Sequence, residues 1–305
     1  MATPHLAPGR GALSPYLLLI IPPLCWAGNF VVGRAMHADI PPAALTFWRW
    51  AVAAAVLLPF AVADGWRLRW ELLRHGRLLA VLAASGVVGF QYCVYRGLQT
   101  TTAINGVLII ATIPAAIPAI AYALDGARLS LRQAGGIALS MLGVGIVILQ
   151  GDLARVAARS LAPGDAWMAL AVPMWALYSV LVRRLPALVP PLVLLLATVF
   201  IGLLLAVPLY AAEIAAGRGF AVDLPTLGAI GYVGVFASVI AFACWNRGVR
   251  AVGANKAGLF IHLMPVFAAV LATLFLDEQL RAFHGIGGAL IAAGLYLSST
   301  AGRTP

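Results

Sequence analysis

Arg96 to Gly143 reads RGLQTTTAINGVLIIATIPAAIPAIAYALDGARLSLRQAGGIALSMLG, and Arg247 to Gly294 reads RGVRAVGANKAGLFIHLMPVFAAVLATLFLDEQLRAFHGIGGALIAAG. Sliding the first onto the second by 151 positions aligns Arg96 with Arg247, Gly97 with Gly248, Ala103 with Ala254, Pro114 with Pro265, Gly136 with Gly287 and Gly143 with Gly294, without a gap. A match this long at so long a period marks an internal structural repeat, one packing unit built twice.

The surrounding chain is 63% hydrophobic and 10% charged over 305 residues, against a charged share of roughly 25% in soluble domains. It therefore reads as an all-α membrane protein whose first partner is the lipid bilayer. The net charge of +10 comes from arginines clustered between apolar runs, which form no continuous basic face for nucleic acid. Cys25, Cys93 and Cys244 lie inside apolar runs at no ligand spacing, so neither a disulfide framework nor a metal is expected. No cofactor is expected either.

Apolar runs of about twenty residues, the length that crosses roughly 30 Å of hydrocarbon, fall near 14–34, 41–62, 77–95, 102–123, 131–150, 164–183, 189–211, 225–246, 254–275 and 283–300. These ten predicted spans follow a short disordered tail at 1–13 and leave no room for a soluble domain. With the amino terminus cytoplasmic, twelve arginines fall in inside connections and six in outside ones, which favours both termini on the cytoplasmic side.

The doubling extends to the first spans. Pro41-Pro42 matches Pro190-Pro191, and Trp26 matches Trp175, at an offset of 149. Each unit, 14–150 and 164–300, is then five helices. An odd number of crossings makes the second unit enter from the opposite face, an inverted repeat with a central cavity between the units.

The residues CWAGNFVVGR of the first span, PPAALTFWRW of the second, YRGLQTTTA leading into IIATIPAAIPAI, and LMPVFAAVLATLFLDEQL of the ninth resemble the drug/metabolite transporter superfamily, in particular its ten-helix EamA-type branch. Within that branch the likeness leans to the YddG-type exporters of aromatic amino acids. The resemblance implies a bacterial inner-membrane transporter working by alternating access. One departure is visible: the second copy has Asp277-Glu278 after its fourth helix where the first has Gly126-Ala127.

Polar side chains at membrane depth are costly and mark cavities or partners. Trp26 and Asn29 share a face of the first span, and Trp175 with Tyr178 repeats that face in the sixth. Trp26 is read either as a cavity wall or as a packing aromatic. Gln91, Tyr92 and Tyr95 close the third span, and Asn105 takes the position matching Lys256. Lys256, the only lysine, either lines the cavity or snorkels from it. Asn255 and His262 lie beside it, His262 also reading as a contact between helices. Arg49 has Thr198 at its repeat position, and the resemblance implies a cavity or gate role for it.

All ten carboxylates lie in connections or at span ends. Ion-driven transporters usually hold one at depth, so downhill movement or exchange is expected. A pocket of aromatics, amides and a cation suits a small amphipathic molecule, an aromatic amino acid foremost. A proton-coupled exporter of drugs or nucleosides is the alternative within the superfamily. An intramembrane enzyme is the distant one, since the serines lack a suitably placed histidine motif and no carboxylate dyad is present. A monomer is the working expectation.

Overall fold

The computed structural model describes residues 14–149, 162–275 and 282–299; the side chains at 103–105, 108, 147, 148, 269, 272–275 and 299 lie outside that description. Its helices are α1 (Pro15–Ala35), α2 (Pro42–Arg67), α3 (Gly76–Leu98), α4 in two pieces (Ala103–Ile110 and Ile113–Asp125), α5 (Leu131–Leu149), α6 (Pro163–Arg184), α7 (Pro191–Ala215) and α8 (Leu224–Val252), with a short helix Arg69–Arg74 between α2 and α3. α9 starts as Ala254–Gly258, tightens into a 3₁₀ turn over Leu259–Leu263 and continues as Met264–Phe275, and α10 is Ala282–Ser299. No strand occurs among the described residues.

Among the described residues α1, α2, α3, α6, α7 and α8 are long and apolar enough to cross a membrane, while Ile113–Asp125, Leu131–Ile146 and Ala282–Ser298 are apolar but shorter. The breaks in α4 and α9, which hydropathy does not foresee, fall just before Pro114 and Pro265. Each proline lacks the N–H that would continue the ladder and crowds the turn before it. Ala111 O is freed at the α4 break and takes up the ring N–H of His262 Nε2 at 2.9 Å, so the residue at position 262 fastens onto its own repeat mate.

Other matching positions behave alike. Pro41 and Pro190 adopt φ/ψ of −60/149° and −61/148°, because a residue before proline is pushed out of the helical region. Pro42 and Pro191 then supply the first helical residue, where a missing N–H costs nothing. α3 and α8 each widen into a π-helical stretch, Ala83–Gly89 and Val235–Ile240, at corresponding positions. α5 and α10 cross backbone to backbone. A Cβ on Gly143 would stand 2.6 Å from Gly287 O and one on Gly294 2.6 Å from Gly136 O. Lipid-embedded helices associate through such close approach, since no hydrophobic force separates a neighbouring helix from lipid tails.

Carboxylate side chains satisfy the starts of α2, α6 and α8. Asp165, in the first turn of α6, accepts from Ala162 N at 2.9 Å and from the Thr101 hydroxyl. Glu213, in the last turns of α7, is 2% exposed. Asp223 caps α8 by accepting from Thr226 N at 2.9 Å, and these bonds to Thr226 hold its carboxyl below the usual carboxylate range. Gly126 ends α4 with φ +65°, a left-handed C-cap that suits glycine. That accounts for the first copy's departure from an acidic residue there. Asp277, Glu278 and the tail 1–13 lie outside the described residues.

Candidate functional site

Trp26 of α1 and Trp175 of α6, equivalent residues of the two copies, meet edge to face with ring centroids 4.9 Å apart. They wall a central cavity of about 10 Å³, lined also by Asn29, Phe30, Phe90, Gln91, Ile110, Ile113, Ile261 and Met264. That volume is room for a single water, so a larger occupant requires the surrounding helices to part. Trp26 is held by its indole N–H, which bonds Ala237 O in the π stretch of α8 at 3.1 Å. Trp50 does the same to Val87 O in the π stretch of α3 at 2.7 Å. π turns gather at functional sites; here both offer carbonyls to buried indoles around the cavity.

Behind the polar side of this cavity stands Arg49, about two turns into α2 and completely buried. Its Nε donates to Ser238 Oγ at 2.8 Å. Nη1 faces three acceptors: Gln91 Oε1 at 2.7 Å, Tyr95 Oη at 2.5 Å and Asn29 Oδ1 at 3.2 Å. Tyr95 Oη in turn donates to Asn29 Oδ1 at 2.6 Å. The guanidinium carbon lies 5.2 Å from the Trp50 ring centre and 5.7 Å from that of Tyr95. Four helices, α1, α2, α3 and α8, are tied at one cation, and among the described residues no carboxylate pairs with it.

The second copy carries the same pair with its members exchanged. Tyr178, at the position of Asn29, donates to Oδ1 of Asn246, at the position of Tyr95, over 2.8 Å. Thr198, at the position of Arg49, bonds back to Leu194 O and Leu195 O at 3.0 Å. The cation therefore belongs to one half only, and the site is chemically lopsided although its frame is doubled.

Of the residues singled out from the sequence, Trp26, Asn29, Gln91 and Trp175 line the cavity, and Arg49 and Tyr95 stand immediately behind it. Tyr178 stacks on Trp175 with centroids 5.3 Å apart but does not line it. Tyr92 is half-buried and meets Trp167 edge-on at 6.0 Å, away from the lining. Asn255 and Lys256 sit half-buried in the first turn of α9, off the cavity. His262 is fully buried against Ala111. The side chain of Asn105 lies outside the described residues. Sequence reasoning passes over Ser238 and Asn246; the repeat offset, applied to Tyr95, points to Asn246, while nothing local marks Ser238.

A wider recess of about 370 Å³ opens elsewhere, where Asp64, Pro190, Leu192, Val193, Cys244 and Arg247 meet.

A family model described as the EamA-like transporter family matches residues 13–149 and again 162–300. The chain is 27% identical over 295 residues to the uncharacterized transporter YyaM of Bacillus subtilis, covering 96% of each. It is 26% identical over 282 residues to a probable terminal-alkyne amino-acid exporter of Streptantibioticus cattleyicolor, covering 92% of this chain and 91% of that protein. A solved crystal structure shares the fold with a TM-score of 0.73 at 20% identity, covering 93% of this chain and 96% of that one.

Proposed function

The chain belongs to the EamA-like transporter family, and on that premise we propose that it moves small amphipathic metabolites, aromatic amino acids foremost, across a bacterial inner membrane by alternating access. The observation that carries this reading is the cavity between the two copies, lined by two tryptophans and by the amides of Asn29 and Gln91. Flat rings flank an apolar side chain, and a few fixed polar groups orient its charged end. The similarity to a probable amino-acid exporter points the same way.

In this reading ten helices cross the membrane as two five-helix units, 14–150 and 164–300, inserted in opposite senses with both termini cytoplasmic. Rocking of one unit against the other exposes the central cavity to each side in turn. The described carboxylates lie at helix ends or between helices, which favours downhill movement or exchange over ion-driven transport.

Uptake of labelled tryptophan into proteoliposomes, with and without a pH gradient and competed by amino acids, nucleosides and cationic drugs, tests it. Saturable uptake competed by aromatic amino acids and indifferent to the gradient is expected. Competition by nucleosides or drugs alone would discard the substrate, and substrate-dependent proton flux would discard the uncoupled mechanism.

A further inference from the structure

Arg49 spends its hydrogen bonds unevenly. Nη1 is shared among three oxygens, whereas Nη2 is buried and makes no hydrogen bond among the described residues. A charge taken out of water needs compensation, and four neutral oxygens supply only part of it.

The same bonds decide which way two amides face. With Asn29 Oδ1 and Gln91 Oε1 both turned to Nη1, the NH₂ groups are directed away from the guanidinium. Neither amide nitrogen has a hydrogen-bond partner among the described residues, and both side chains line the central cavity. Arg49 thus acts through two intermediaries: it fixes the amides with donors free and sets a positive charge behind them.

We propose that this end of the cavity is a carboxylate subsite, in which Asn29 and Gln91 donate to the anion and Arg49 balances its charge. The proposal rests on reading the cavity as the transport site and narrows the substrate class to molecules bearing a carboxylate. Amines without one are excluded, because an ammonium would meet N–H donors and a like charge.

Isothermal titration of the purified full-length protein in detergent tests this with three probes: indole-3-propionate, 4-methylpentanoate and tryptamine. The variants are Asn29→Asp and Gln91→Glu, each nearly isosteric and each giving Arg49 a counter-ion of its own. Both carboxylates are expected to bind and tryptamine not to. Each variant is expected to weaken carboxylate binding by about tenfold or more, as close charge pairs do, with unfolding temperature unchanged or raised. Unchanged carboxylate binding in both variants overturns the subsite. So does tryptamine binding as tightly as indole-3-propionate, or no carboxylate binding at all. Binding of 4-methylpentanoate without indole-3-propionate keeps the subsite and removes the aromatic preference. If Asn29→Asp does not fold, Gln91→Glu carries the test.

Discussion

Glu213 near the end of α7 holds Ala43 at the start of α2: its Oε2 accepts the Ala43 N–H at 3.0 Å, and the Ala44 N–H at the same distance. A buried carboxylate on a helix N-terminus satisfies orphan donors and meets the positive end of the helix dipole. Asp64 occupies the matching place on α2, facing the recess at the start of α7, but it is one methylene shorter and pairs with Arg67 at 3.5 Å instead. The start of α2 is latched by a carboxylate of α7, and the start of α7 lacks the matching bond from Asp64 among the described residues.

Glu213→Ala should therefore cost about 1–3 kcal/mol by leaving two buried donors unmet, and Glu213→Gln, which keeps an acceptor, should cost less. Unfolding of the purified variants followed by heat or denaturant measures the order.

Asp64→Glu supplies the missing methylene. It should draw the start of α7 inward and slow alkylation of Cys244, which is half-buried in that recess while Cys25 and Cys93 are buried. Maleimide labelling followed by mass spectrometry reads the rate, and unchanged labelling would show that carboxylate length does not set the asymmetry.

Gly143→Ala should push α5 off α10, because the new Cβ meets the backbone oxygen of Gly287 and the backbone nitrogen of Ile291, which cannot turn aside as a side chain can. A loss of about 1–3 kcal/mol is expected from overpacking. Gly145→Ala on the same helix has nothing within 4 Å of its Cβ, and should be neutral or gain up to about 1 kcal/mol from helix propensity. Thermal unfolding of the pair separates close packing from propensity.

His262→Leu leaves Ala111 O buried without a donor and should destabilise by about 1–3 kcal/mol. His262→Gln, which can offer an N–H, should recover part of it. Equal losses in the two would mean the ring's volume matters more than its bond to α4.

Asp223 gives a pH signature. Its folded carboxyl lies below the ordinary value of 3.8, so its stabilising contribution is present above that pH and is lost as pH falls through the lowered folded value. Asp223→Ala should lower the unfolding temperature at pH 7, and the gap to the parent chain should close in acid.

Part of the site is legible in the chain alone. The offset of 149 that pairs Trp26 with Trp175 makes them candidates for facing walls, and the FWRW motif marks Arg49. Lys256, the only lysine, stands out by rarity, yet it sits off the cavity. Rarity reports the cost of burying a charge, and a long flexible stem at a helix end lessens that cost without lining a site.

The sequence by itself determined that the chain is a doubled, helical membrane protein, because apolar run length, proline pairs and repeat offset are properties of the chain alone. It also set which residues share a face of one helix, through the 3.6-residue period. Only the tertiary structure decided that Asn29, Arg49, Gln91, Tyr95 and Ser238 converge from four helices, that the amides of Asn29 and Gln91 turn their oxygens to Arg49, and that Glu213 latches while Asp64 does not. Those outcomes depend on distances of a few ångströms between helices, set by glycine contacts, π turns and helix breaks. A one-dimensional pattern fixes the face a side chain occupies and carries no measure of how far it must reach.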